Sequence, residues 1–387
     1  MALSITPNFA LNIVCYDVPF PADYGGAMEE FYKIKSLHQL GAKIYLHCFV
    51  YGNRQASQTL EKYCVKVYYY QRQRKLKDAF KKTPFIVKTR MDNELLRNLQ
   101  SNNFPILFDA THTTGFINEP SLKSRVKVVR LHNIEWIYYH ILFHSAFSLY
   151  EKIFYFLEYK KLKKHDKYLA FADGLSCLSD TDYAYYSDKF PKKNIQYIPV
   201  FHENSEVTCK EGKGKYLLYH GNLSLIDNCE VIINVLSNEL KNCHYPIIIA
   251  GKNPSPTLID FVKNKSNIQL QPNPSQAQLD NLIEDAHICL AIAKNPSGVK
   301  LKLINSLFKS RFVLCNSSAL NGADVDDLCV NIDEVENVQQ MIDDLMQQPF
   351  SNDMITFRKQ VLLSKYNNIG NAHALLDFMD KITKNEK

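Results

Sequence analysis

Short apolar runs rich in Val, Ile and Tyr alternate along this chain with stretches of helical period. Runs at 12–16, 43–50, 65–70, 106–109, 126–131, 174–178 and 196–200 have the length and flanking residues of buried strands. A polar, charged stretch at 201–215, with Gly212 and Gly214, interrupts the pattern and reads as a linker. The alternation then restarts at 216–220, 246–251, 268–270, 288–293, 312–315 and 328–331. Met28, Phe31, Ile34, Leu37 and Leu40 recur at three-residue steps before Gly41, which predicts a helix with a glycine C-terminal cap. Strand–helix–strand alternation, run twice, predicts an α/β fold of two doubly wound, Rossmann-like parallel-sheet domains. The predicted division is 1–202 and 203–367, with a helical pattern over 368–387 that packs back on the first domain. Two such domains imply a ligand cleft at the carboxyl ends of their strands.

Composition narrows the class. With 387 residues and 46% hydrophobic content, the chain has enough apolar surface for real cores and is neither disordered nor collagen-like. Ten cysteines include no C-x-x-C pair, and several sit in apolar runs, so they read as reduced core thiols rather than a disulfide or zinc framework. No run approaches a membrane span, and the first residues lack the basic head and apolar middle of a secretory signal. A cytoplasmic protein is expected.

The net charge of +6 is unevenly spread. Residues 72–90 carry eight Lys or Arg against one acid, and 152–167 carry six lysines interleaved with Phe154, Tyr155, Phe156 and Tyr159. Between Arg311 and Arg358 there is no basic residue and there are nine acids. The basic stretches suggest an anionic partner such as a lipid headgroup surface at the inner face of the membrane, or a phosphorylated acceptor. Solvated lysines and core aromatics are the plainer reading of the same stretches. Nucleic acid is not expected, since no recognition motif is present and the acidic region would repel a phosphate backbone.

Candidate chemistry lies in the loops that follow predicted strands. After the first strand, Gly25 and Gly26 open a helix and leave backbone N–H groups for an anion or a sugar hydroxyl, although paired glycines are also an ordinary turn. After the fifth, His132 stands with Asn133 and Glu135, either as hydrogen-bonding groups for a ligand or as a helix start. In the second half, Gly221 and Asn222, Gly251 and Lys252, and Ser297, Gly298, Lys300, Lys302 and Asn305 follow strands. A glycine before a helix that carries two lysines in its first turns favours a diphosphate. Lysines there oppose the helix dipole, which makes a purely structural role the poorer explanation. No G-x-G-x-x-G is present, which counts against an oxidoreductase.

In motif order these pieces resemble nucleotide-sugar glycosyltransferases of the two-domain GT-B architecture, close to the retaining family 4 group. The matching residues are the loop ending in Gly25 and Gly26, Leu131-His132-Asn133, Tyr219-His220-Gly221-Asn222, Ser297-Gly298-Val-Lys300-Leu-Lys302, and Gly322 after Asn321. The resemblance implies a nucleotide-diphosphate sugar donor held by the second domain and a glycan, lipid-linked or protein-linked acceptor presented by the first. It implies transfer with retention, His132 on a sugar hydroxyl, and Lys300 and Lys302 on the departing diphosphate. Ammonium groups would then do the charge work, so no metal or other cofactor is expected. The Asp324-Val-Asp326 pair is a poor candidate for a metal site. Two glutamates eight apart are usual in the group; Ser297 and Asn305 stand in their places here. A nucleotide-sugar 2-epimerase and a non-catalytic sugar-nucleotide-binding protein of the same architecture are the alternatives.

Overall fold

Strands buried on both faces must be apolar throughout, and the short Val- and Ile-rich runs meet that condition. The computed structural model describes residues 9–146 and 148–385. The first eight residues, where no secretory signal is expected, lie outside them, as do the last two of the predicted C-terminal helix. The chain divides into two units, one holding the described residues up to Glu203 and from Tyr366 onward, the other Asn204–Lys365.

The first unit contains β1 (Ala10–Val14), β2 (Lys43–Val50), β3 (Lys66–Gln71), β4 (Ile106–Asp109), β5 (Lys127–Leu131), β6 (Gly174–Cys177) and β7 (Asn194–Tyr197). They form one parallel sheet in the order β3-β2-β1-β4-β5-β6-β7. Period-two alternation gives the sheet two cores: Leu11 and Ile13 of β1 join one cluster, Val14 the other. Helix α1 (Gly25–Gln39) covers the first of these faces with Phe31, Ile34 and Leu37, and Gly41 adopts φ +82° just beyond it. Helices α2 (Glu135–Ser145) and α3 (Leu149–His165) pack on each other, and α3 begins with a capping box from Ser148 and Glu151.

The second unit contains β8 (Leu217–Asn222), β9 (Ile247–Lys252), β10 (Ile268–Pro272), β11 (Ile288–Ala291), β12 (Phe312–Cys315) and β13 (Val330–Asn331). These six are parallel, in the order β10-β9-β8-β11-β12-β13. Helices α4 (Ile226–Ser237) and α5 (Leu301–Lys309) are among those that flank the sheet. All thirteen strands lie within a few residues of their predicted positions. The seventh ends earlier than predicted, ahead of Pro199, which has no N–H to continue a ladder. The predicted linker is partly core: Phe201, His202, Val207 and Cys209 are buried. All ten cysteines are free, and eight are buried.

Helix α6 (Asn368–Asn385) belongs to the first unit. Ala372, Leu375, Leu376, Met379 and Ile382 form its apolar stripe and enter the same cluster as Leu11 and Ile13. Gly174 of β6 admits this helix, because a Cβ there would stand 2.5 Å from the Ile382 side chain. Leu375 is fully buried, so Leu375→Ala is expected to destabilise the first unit by about 2–5 kcal/mol, read from the shift of its denaturant-unfolding midpoint.

Candidate functional site

In each sheet the strand order reverses direction once, between β1 and β4 in the first unit and between β8 and β11 in the second. Crevices beside such points are where doubly wound sheets bind ligands. The singled-out residues gather at these two places.

In the first unit, His132 follows β5, with its side chain 13% exposed. Its Nε2 lies 2.9 Å from Oδ1 of Asp109, the last residue of β4. The other Asp109 oxygen accepts from the Lys33 ammonium, and Lys33 lies 3.6 Å from Glu29. Glu29 Oε1 accepts from Arg130 Nε at 2.5 Å, and its Oε2 accepts from the Phe201 N–H at 2.5 Å. Arg130 is completed by Ser176 Oγ at 3.0 Å and the carbonyls of Ile198 and Pro199. Burial alone would favour neutral acids here. The Lys33 charge and the hydrogen bonds from His132 and Lys33 nevertheless hold the Asp109 carboxyl below its usual range, and Arg130 and Lys33 do the same for Glu29. A carboxylate only accepts, so His132 donates from Nε2 and leaves Nδ1 as an acceptor.

Around His132 the polar capacity is incompletely used. The Tyr16 ring stacks on His112 at 5.0 Å and meets His132 edge-on at 5.7 Å. His112 Nδ1 is 3.5 Å from Glu135 Oε1, beyond good bonding distance. His112 Nδ1, Asn133 Oδ1 and Thr111 Oγ1 are buried without a hydrogen-bond partner. Burial pushes the Glu135 carboxyl up to about 8, against the pull of Arg90, and drives His112 the other way, so both are neutral near pH 7. Ala110, next to Asp109, is held at φ +63° and ψ 162°, a region that suits glycine. Gly25 is exposed at the first position of α1. Gly26 has a packing reason instead, since a Cβ there would fall 1.6 Å from the Tyr16 hydroxyl.

In the second unit, β11 leads through residues 294–300 into α5, which starts at Leu301 with Lys300 as its N-cap, later than a start at Gly298. Gly298 takes φ +71°, as the turn requires. Lys300 Nζ donates to the carbonyls of Ser297 and Gly298, both at 2.6 Å, and so closes its own loop. Lys302 Nζ donates to the Ile292 carbonyl and lies 4.9 Å from the centre of the Tyr219 ring. Neither amine points into bulk solvent. Burial, with Lys300 adding repulsion, pushes Lys302 down to about 7. One turn further, Asn305 Oδ1 is buried and accepts from nothing. His220 is a core group pushed down to about 3 by burial; its Nε2 lies 3.0 Å from Ser306 Oγ, which donates to the Lys302 carbonyl.

The remaining residues follow the two central strands. Gly221 has only the Asn228 amide near its missing Cβ, at 3.7 Å, so its face is open. Asn222 accepts from Ser224 N and Oγ, which shapes the β8 exit. Gly251 is required by packing, since its Cβ would stand 1.9 Å from the Gly221 carbonyl on the next strand. Lys252, paired with Asn222 across the ladder, is exposed. Asp324 is ion-paired to Lys365. The metal-ligand-like group Cys15, Glu30 and Asp109 fits a metal poorly, because the Lys33 ammonium already sits on Asp109. Sequence reasoning missed Lys33, Glu29, Asp109, Arg130 and His112; the signal for Asp109 and Arg130 was an Asp and an Arg inside otherwise apolar strands.

Two measurements test this description. The native state keeps the Glu135 proton up to about 8, whereas an unfolded glutamate loses it near 4.5. Between those values the native state binds more protons, so stability falls as pH rises. Glu135→Gln is therefore expected to flatten the decline in urea-unfolding free energy between about pH 5.5 and 8, a loss on the order of a few kcal/mol in the parent. Ala110→Gly relieves the backbone and is expected to raise stability by about 1 kcal/mol in the same assay.

No family model matches the chain. A 44.6 kDa protein in the cps region of Klebsiella pneumoniae, described as uncharacterized, is 26% identical over 333 residues, covering 80% of this chain and 83% of its own. Among solved structures, sucrose-phosphate synthase from Thermosynechococcus elongatus superposes with a TM-score of 0.69 at 10% identity, over 97% of this chain and 99% of that one. A structure from E. coli described as trehalose-6-phosphate bound with UDP-2-fluoro glucose gives 0.63 at 11% identity, over 96% and 99%. A glycosyltransferase from Rickettsia africae gives 0.61 at 13% identity, over 98% and 99%. With its seven- and six-stranded parallel sheets, the chain has the GT-B fold of these structures.

Proposed function

We propose that this protein is a glycosyltransferase that moves a sugar from a nucleotide-diphosphate donor to a hydroxyl of a glycan, lipid-linked or protein-linked acceptor, with retention and without a metal. The observation that carries the reading is the Lys302 ammonium, half-buried beside the Gly298 turn at the reversal point of the second sheet and met there by the Ile292 carbonyl and the Tyr219 ring, with no carboxylate paired to it among the described residues. Such an ammonium is stabilised by an anion, and the Asn305 acceptor one turn away suits a ribose hydroxyl. The fold it shares with a structure bound to UDP-2-fluoro glucose supports the same class of donor.

In the proposed reaction the bond between the sugar carbon and the diphosphate oxygen breaks and one to the acceptor oxygen forms. The acceptor proton leaves on the diphosphate, so no side-chain nucleophile is needed. Lys302, with Lys300 and the Gly298 turn, stabilises the charge that develops on the leaving group. Gly221, Asn222, Gly251, Lys252 and Ser297 shape the donor's surroundings. In the first unit, His132 Nδ1 accepts from a sugar hydroxyl while Asp109 fixes the ring, and Gly25 and Gly26 offer backbone N–H groups. Contact with an anionic membrane is part of the proposal. Phe154, Tyr155 and Tyr159 pack against Phe85, Tyr139 and His140, but Leu149, Tyr150 and Ile153 of α3 are exposed near Lys152.

Ser297 and Asn305, neutral where the glycosyltransferase group this sequence resembles usually has glutamates, favour a second reading in which the protein binds donor without transferring the sugar. Thermal-shift measurements with UDP-, GDP-, ADP- and CMP-sugars separate the cases when followed by product analysis. At least one nucleotide is expected to raise the melting temperature, and no shift with any of them overturns both readings. Binding without transfer across an acceptor panel selects the second. Unliganded Lys302 loses its proton above about 7, so nucleotide affinity is expected to fall as pH rises past that point. Lys302→Met is expected to weaken binding about 10- to 100-fold near neutral pH and to remove the pH dependence.

A further inference from the structure

The two basic stretches, far apart in sequence, meet in the folded first unit. A cavity of about 560 Å³ is lined by Lys81 and Lys82 from one and by Lys161, Lys164 and Lys167 from the other. Its volume lies in the range of small-molecule sites. Its inner wall includes Thr114, whose Oγ1 lies 2.9 Å from His165 Nε2, and Thr83 supplies a further hydroxyl. Phe80, 84% exposed, and Tyr168, 38% exposed, also line it.

Charge balance indicates what the cavity takes. Lys161 is neutralised by Glu158, and Lys81 lies 3.4 Å from Asp78. Glu119 is the acid among the lining residues and offsets one more. Lys82, Lys164 and Lys167 have no acidic partner among the described residues and all three are exposed, so with Glu119 nearby the net excess is two charges. Two net ammonium charges around one concavity match a dianion, and a phosphate monoester or diphosphate is the common biological group with that charge. Carboxylates carry one charge each and fit less well. The exposed rings suit a sugar ring or acyl portion attached to the phosphate.

We propose that this cavity is a second anion site, separate from the Lys302 region, which binds the phosphate group of a phosphorylated ligand, either a lipid headgroup or a soluble phosphorylated compound. The proposal does not rest on the transferase reading. Lysine serves here as a point charge, so the site selects charge and size rather than a rigid geometry, and its affinity should fall with ionic strength.

The test uses the full chain carrying Lys302→Met, which weakens any binding in the second unit, titrated calorimetrically with inorganic pyrophosphate. Saturable binding is expected, weakened at least about tenfold by Lys82→Glu with Lys164→Glu and retained with Lys82→Arg and Lys164→Arg. Absence of binding, or equal binding in the charge-reversed protein, overturns the proposal. Co-sedimentation with phosphatidylcholine vesicles, with and without phosphatidic acid, then separates the sources. Phosphatidic-acid-dependent binding lost in the charge-reversed protein supports a lipid headgroup. Pyrophosphate binding with no vesicle binding supports a soluble phosphorylated ligand.

Discussion

The Glu29 carboxylate is the constraint on which the first unit depends. One oxygen receives Arg130 and faces Lys33; the other receives the Phe201 N–H. Through these contacts α1, β5 and the chain leaving β7 converge on one group, and Lys33 extends the convergence to Asp109 on β4. Charges this buried are tolerated only when each has a partner, and removing one partner typically costs about 3–5 kcal/mol. The chain of alternating charge ends at His132, the member that retains solvent access. The orientation of the candidate site residue is thus a consequence of the interaction that holds the sheet and its helix together.

The second unit solves a similar topology with the opposite electrostatics. In the first, the buried cations Lys33 and Arg130 each face a carboxylate. In the second, Lys302 faces a carbonyl and an aromatic ring, and Lys300 is turned onto its own loop. Burial then works against the Lys302 charge, which is why its affinity for a proton drops to about 7. A compensated cluster is rigid and has no electrostatic demand for a ligand. An uncompensated one gains most when an anion arrives, because the interaction develops in a poorly solvated place.

Legibility in the sequence followed the same division. The strands are short, mostly apolar runs, so all thirteen could be read, and the glycine and lysine positions after them pointed to the strand exits. The charges of α1 could not be read in the same way. Glu29, Glu30 and Lys33 look like a solvated face beside the Phe31, Ile34 and Leu37 stripe, yet all three are buried. What buries Glu29 and Lys33 is pairing with Arg130 and Asp109 on strands some eighty to one hundred residues away, a long-range match that local periodicity does not encode, while Glu30 accepts from the Tyr16 N–H. The glycines show the same limit. Gly26 and Gly251 read as openings for a ligand, but each is small because a neighbouring side chain or strand occupies the space, whereas Gly221 stays open.

The departure from the glutamate pair and the behaviour of Lys302 are one fact seen twice. Asn305 lies three residues beyond Lys302 on α5, a spacing that brings side chains together on a helix. A carboxylate at that position would have stabilised the ammonium and kept it charged well above neutrality. With Asn305 in its place, burial and the like charge of Lys300 lower Lys302, Cys289 opposes them weakly, and no carboxylate is prominent among these influences. Among the described residues Lys302 therefore has no carboxylate counter-charge. In the proposed reaction a diphosphate brings the negative charge that a glutamate at 305 would have supplied, so under that proposal Asn305 tightens the coupling between donor occupancy and the protonation of Lys302 rather than removing the reason for a donor to bind.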